Sequence, residues 1–310
     1  MIVARSDLEA ALARVTADVA DPVAGIHGPG SAAWRVQRDA IVFLGGGRAA
    51  LLQLAHPFVA YAIDQHSKTR DDVVGRFQRT FRNVFAMSFG DLDAALKASR
   101  RVFAIHSHIV GTFPVAVGPF PAGTPYHAND VDALRWVHAT LMHTAVQARE
   151  LVLGPIAPAV KDAYLRDGLQ FARLFGIPDA LVPRSWAAFD RYVAEMFESP
   201  VLTVAPAARE MARFLFGGRA GGFVRVIATG MLPPRLRREF GLPWGLAERA
   251  AFTAALASIR AGWRALPRRA RYLPAYVDAI RRVAGKAPSP MTKWVEGRLY
   301  GLASLAASSR

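Results

Sequence analysis

The 310-residue chain contains no cysteine. That absence removes disulfides, thiolate metal ligands, iron–sulfur clusters and cysteine nucleophiles together. A bound metal would have to be held by His, Asp or Glu, and covalent chemistry would fall to Ser, Thr, Lys or a carboxylate. Several enzyme signatures are missing as well. No G-x-S-x-G elbow occurs, and no two histidines stand four apart as in H-E-x-x-H. The Glu-x-x-His pairs of di-iron bundles are also absent.

Long uncharged hydrophobic runs are lacking too. The most apolar long stretch, 41–63, is interrupted by Arg48, by His56 and by Gly45, Gly46 and Gly47, so a spanning helix is not expected. The first 23 residues mix charge with apolar side chains and read as an amphipathic helix, not a secretory signal. A cytoplasmic protein with contact to membrane is the expectation. Acidic residues are scarce in the last third: from Val201 to Arg310 there are 19 basic against 5 acidic residues, within a net charge of +15. Such a region attracts anions, phospholipid head groups among them. With no recognised binding motif beside the charge, nucleic acid is not the expected partner.

What is abundant is apolar. Hydrophobic residues make up 52% of the chain, including 18 Phe, 6 Trp and 7 Tyr, enough for a large core and a greasy pocket. The segments 91–110, 130–152 and 156–175 place apolar residues three and four apart, as amphipathic helices do. Ser6 with Glu9 reads as a cap for a first helix. Period-two alternation is rare, and 112–117 is the best short extended element. The Gly- and Pro-rich stretch 111–130 is a long irregular connection, and 177–184 and 232–245 are breaks. The fold class expected is all-α.

Eight histidines form the ligand pool. His106 and His108 are two apart and point to opposite sides of a helix, and His138 and His143 are five apart, so neither pair suits one metal. A haem would need only one imidazole from the protein. His106 has Val102, Ile105 and Ile109 around it at helical spacings, and His138 stands in a similar apolar setting. Either reads equally well as a hydrogen-bonded core histidine. In GRFQRT, at 75–80, Arg76 and Thr80 share a helix face and Arg79 lies on an adjacent line. Their forked donors would suit a carboxylate, such as a haem propionate, or a polar gas-binding pocket. An ordinary exposed basic helix fits the spacing as well. Gly45, Gly46, Gly47 and Arg48 match neither phosphate-loop pattern, and suit close helix packing or room for a flat ligand.

In order along the chain, FLGGGRAALLQLAHP (43–57), DQHS (64–67), GRFQRT (75–80), RVFAIH (101–106), PYHAND (125–130), LRWVHAT (134–140), LFGIP (174–178) and FDRY (189–192) resemble one family. It is that of the latex-clearing-protein and MpaB-like haem-dependent oxygenases. The resemblance covers 36–231, leaving an N-terminal helical extension (1–35) and a basic helical region (232–310) packed on the core.

The resemblance implies a globin-like helical bundle around haem b, an oxygenase activity, and dioxygen with a lipophilic, isoprenoid-type molecule as substrates. Carried across, the iron ligand is His106, with Arg48, Arg76 and His138 on the cofactor side. Arg79 and Thr80 stand at the dioxygen side, and Asp64 and His66 are candidates for moving protons. The latex-clearing branch has lysine where Arg79 stands here, and a guanidinium, which stays protonated, cannot serve as a removable sixth ligand. Two other readings share these residues: a haem protein that senses or carries, and a haem-free helical protein that binds lipid or membrane. The arginines of the last third (Arg235, Arg237, Arg238, Arg268, Arg269, Arg271, Arg281 and Arg282), interleaved with Trp244, Trp263, Tyr272 and Tyr276, suit an anionic membrane surface.

Overall fold

A computed structural model describes residues 1–66, 73–217 and 221–289. The chain runs through α1 (Arg5–Asp18), α2 (Ala32–Gln37), a 3-10 helix (Ala40–Gly45), α3 (Gly46–Leu54), α4 (Pro57–His66), α5 (Val73–Phe89) and α6 (Leu92–Ser107). A two-stranded ribbon, β1 (Val110–Thr112) and β2 (Pro125–His127), follows. Then come α7 (Val131–Leu153), α8 (Pro158–Arg173), α9 (Trp186–Glu198), α10 (Pro206–Leu215) and α11 (Gly221–Met231). The last described elements are α12 (Pro234–Glu239), α13 (Leu246–Ala265), α14 (Arg268–Arg271) and α15 (Pro274–Val283). The fold is all-α.

Helix starts follow side-chain chemistry. Carboxylates of Asp91 and Asp130 accept from the free N–H groups at the starts of α6 and α7, and the Ser31 and Ser185 hydroxyls do the same for α2 and α9. The first helix departs from expectation. It starts at Arg5, because the Asp7 carboxylate takes the Ala4 N–H at 2.9 Å, while Glu9 pairs with Arg100 on α6. The extended element also lies earlier than expected. Val110, Gly111 and Thr112 pair with His127, Tyr126 and Pro125, and the chain bends beyond them. The 232–245 break contains α12, because Pro234 at its first position carries a preset φ and lacks only an N–H that no helix uses there.

Helix α7 is the axis of the molecule. Its buried residues, from Val131 to Ala148, cover every face, as expected of a helix enclosed by others. The 3-10 helix, α2, α3, α8, α9 and α13 all pack on it. The Trp136 indole N–H donates to the Leu52 carbonyl of α3 at 2.8 Å. Leu8, Leu12 and Val15 of α1 belong to the same buried cluster. A second cluster joins Trp34 and Phe89 to Leu273 and Ala279 of the C-terminal region. Both flanking segments therefore share buried surface with the middle of the chain. Among the described residues, no helix is long and apolar enough to cross a membrane.

Candidate functional site

Helices α5 and α6 form an antiparallel hairpin joined only by Gly90 and Asp91. A Cβ at position 90 would stand 2.2 Å from the Ala86 carbonyl oxygen, so the bend admits only glycine without a shift. Leu92, Ala95 and Ser99 are buried on α6, and the same line of the helix continues through Val102 to His106. His106 is half-buried in the last turn, beside Ile105, which is 51% exposed. Chain reversal sets position 76 of α5 level with the His106 turn, and Arg79 and Thr80 about one turn nearer the bend. Arg79 and Thr80 are exposed. The Arg76 side chain lies outside the described residues, as do residues 67–72.

The end of α4 is tied to the ribbon that follows α6. Gln65 donates to the Thr112 carbonyl at 3.2 Å, and the Tyr126 hydroxyl donates to Gln65 Oε1 at 2.7 Å. His66 stands edge-on to the Tyr126 ring at 6.2 Å. Burial, with the Asp64 charge adding to it, pushes the Tyr126 phenol up to about 12. Asp64 and His66 are thus carried on a helix end bound to the strand that begins three residues after Ser107. Buried Asn129 reaches back to the Phe103 carbonyl and the Ser107 hydroxyl, and fixes the last turn of α6.

An aromatic wall flanks the hairpin. Phe81 and Phe85 of α5 stack at 5.7 Å, and Phe43 of the 3-10 helix meets both edge-on, at 5.1 and 5.9 Å. Phe43 is nonetheless 43% exposed. Helix α11, which carries exposed Phe223, packs on the same 3-10 helix. The glycine run makes these approaches. A Cβ at Gly45 would meet Thr144 at 2.3 Å, and one at Gly47 would meet Ala228 at 2.9 Å, whereas Gly46 faces open space.

Arg48 and His138 stand elsewhere. Arg48 is buried, and donates to the Met231 carbonyl at 2.9 Å, to the Thr144 hydroxyl, and to His143 Nδ1 at 3.0 Å. His143 Nε2 lies 3.2 Å from Asp190 Oδ1, with its ring parallel to Trp186. Burial lowers Arg48 to about 10 and also lowers His143, although Asp190 opposes the latter. The spacing of 95 residues between Arg48 and His143 gave no local signal for this chain of contacts. His138 is buried against Phe171, its Nε2 3.0 Å from the Gly168 carbonyl, and burial holds it neutral with a pKa of about 4. A cavity adjoining it measures about 10 Å³, room for a water and no more. His27 and His56 are likewise buried and neutral, and His56 Nδ1 has no hydrogen-bond partner among the described residues.

Among the described residues no three His, Asp or Glu converge into a metal cage. A porphyrin, which brings four nitrogens of its own, asks only for one imidazole. His106 offers that imidazole on a fixed helix turn, and the partner helix of the hairpin carries a guanidinium, a hydroxyl and, nearer the bend, the phenylalanine wall. The donor set suits the group.

Several arginines of the basic last third are engaged with main-chain carbonyls. Arg235, Arg237, Arg271, Arg281 and Arg282 all donate to such oxygens, as does Arg260. Arg238 is exposed, and the side chains of Arg268 and Arg269 lie outside the described residues.

Comparison with known proteins gives the following. A family model described as ER-bound oxygenase mpaB/B'/rubber oxygenase, catalytic domain, matches residues 34–261. An uncharacterized protein of Mycobacterium bovis and one of Mycobacterium tuberculosis are each 29% identical over 154 residues, or 47% of this chain. The match spans 60% of the length of those relatives. No solved structure matches the chain.

Proposed function

The chain belongs to the family of mpaB-type and rubber oxygenase catalytic domains, and from that premise we propose that it is a haem b-dependent oxygenase of a lipophilic substrate, with His106 as the iron ligand. The observation that carries this reading is the α5–α6 hairpin. It carries the half-buried imidazole on one helix, and Arg79 and Thr80 on the other about one turn nearer the bend. When bound, the haem supplies an iron centre for dioxygen chemistry, which is the cofactor's own.

The protein's contribution is positional and electrostatic. His106 would hold the iron as a neutral imidazole, since a ligating nitrogen carries no proton. The turn that bears it is held by Asn129, which limits how far the ring can move. Arg79 donates hydrogen bonds and keeps its charge, and Thr80 adds a hydroxyl donor. Both stabilise negative charge that develops on oxygen. Asp64 and His66, at the end of α4, hold and pass protons. Phe43, Phe81 and Phe85 offer an apolar surface for an isoprenoid-type chain and exclude water from it. Arg48 and His138 act as structural residues, because their donors are committed within the core.

The test is turnover under labelled dioxygen. Haem-loaded, reduced protein and a soluble isoprenoid should give products carrying the label. Arg79→Leu should cut the rate by roughly 100-fold, the scale of losing an oxyanion donor. Haem-loaded protein that yields no labelled product from isoprenoids or other alkenes would leave a sensor or carrier in its place.

A further inference from the structure

The Arg48 network does more than fill the core. Arg48 is on α3, Thr144 and His143 on α7, Asp190 on α9, and the Met231 carbonyl ends α11. One guanidinium therefore ties three helices together, and His143 adds α9 as a fourth. Its partner carries the proton logic. Arg48 can only donate, so His143 Nδ1 must accept, and the single ring proton sits on Nε2 facing Asp190. The charged groups around the ring are few. Arg48 faces it from α3, Asp190 from α9, and Lys161 from α8, itself paired with Glu150 at 2.7 Å. The remaining neighbours are the rings of Trp186, Phe189 and Phe197.

We propose that Arg48, His143 and Asp190 form a proton-sensitive latch that fixes α11 against α3 and α7 and releases it when His143 takes up a proton. A second proton can bind only at Nδ1, the atom Arg48 occupies at 3.0 Å. Binding it replaces a hydrogen bond with two facing cations, both buried. Arg48 must then swing away, and the Met231 carbonyl loses its donor with it. Among the described residues, α11 is otherwise held by packing on α3, α13 and the 3-10 helix. Its contact with α3 is the close approach of Ala228 and Val224 to Gly47, which is van der Waals packing. Asp190, whose side chain is 60% exposed, accepts from Nε2–H and favours the charged form of the ring. Because α11 packs on the 3-10 helix that bears Phe43, release loosens one border of the aromatic wall. That last consequence rests on reading the wall as a substrate surface; the latch itself does not.

The test uses the full chain and needs no turnover. Nitrogen NMR of the His143 ring at about pH 7.5 should show the Nε2-protonated tautomer, as the Arg48 contact requires. Amide hydrogen exchange, corrected for its intrinsic pH dependence, should show α11 losing about tenfold or more of its protection as pH falls below the ordinary imidazole range, with α8 changed less. In His143→Phe that loss should vanish. In Asp190→Asn the transition should move to lower pH, because the carboxylate that favours the charged ring is gone. An Nδ1-protonated ring would overturn the latch. So would wild-type protection of α11 that does not change with pH, or an unmoved transition in Asp190→Asn. The tautomer and the Asp190→Asn shift decide the matter even if His143→Phe fails to fold.

Discussion

The guanidinium of Arg282 donates to the Phe89 carbonyl oxygen at 2.7 Å, and to that of Val23 at 2.9 Å. Phe89 is the last residue of α5, where helix carbonyls have no partner of their own. The pattern recurs. Arg260 reaches Leu151 in the last turn of α7, Arg235 reaches Phe197 in that of α9, and Arg271 reaches Arg264 at the end of α13. A cation at a helix C-terminus also complements the negative end of the dipole. Much of the arginine excess in the last third therefore fastens helix ends, while its charge remains.

Arg282→Leu should destabilise the protein by roughly 1–3 kcal/mol, the range for a charge-assisted hydrogen bond left unmade. Denaturant midpoints compare it with Arg238→Leu, which is exposed and should change stability little. Equal losses in both variants would count against the carbonyl-capping role.

Retained charge still leaves an electrostatic attraction to anionic lipid. Vesicles rich in phosphatidylserine should co-sediment the protein at low salt and release it at about 0.5 M, where screening is short-ranged. Binding unchanged by salt would point to apolar insertion instead.

The three glycines of 45–47 should differ sharply on substitution. Gly45→Ala pushes a methyl into Thr144 and should cost about 1–3 kcal/mol through overpacking. Gly46→Ala meets nothing within 4 Å and should be neutral or stabilise by up to about 1 kcal/mol. Thermal melts of the two variants provide the comparison.

Most of the helices were legible before any coordinates. Asp91 and Asp130 start α6 and α7 where apolar spacing begins, and caps are local chemistry. The short α12 is hidden in the sequence because Pro233 and Pro234 look like a break, though proline at a first helical turn is a start. Within the site, His106 owes its selection to ordered motifs and to its place on α6. The Arg48–His143–Asp190 contacts and the His138 bond to Gly168 join residues far apart in sequence, and no periodicity reports such pairs.

Burial depresses His27, His56 and His138 to about 4, well below the unfolded value near 6.5. Between those values the unfolded chain binds more protons than the folded one, so stability rises with pH there. Stability from this source is complete above about pH 6.5 and is lost as pH falls towards 4. Urea midpoints should drop steadily over that window, and His138→Phe should flatten part of the slope. A midpoint independent of pH over the same range would show that these rings are not buried neutral.

The central claim, one haem held by His106, is tested most directly by titrating purified protein with haem b and recording the Soret band. Wild-type protein and His138→Ala should bind one equivalent with a shifted, sharpened band, and His106→Ala should not. Absence of binding by the wild type, full binding by His106→Ala, or loss confined to His138→Ala or His56→Ala would contradict the assignment.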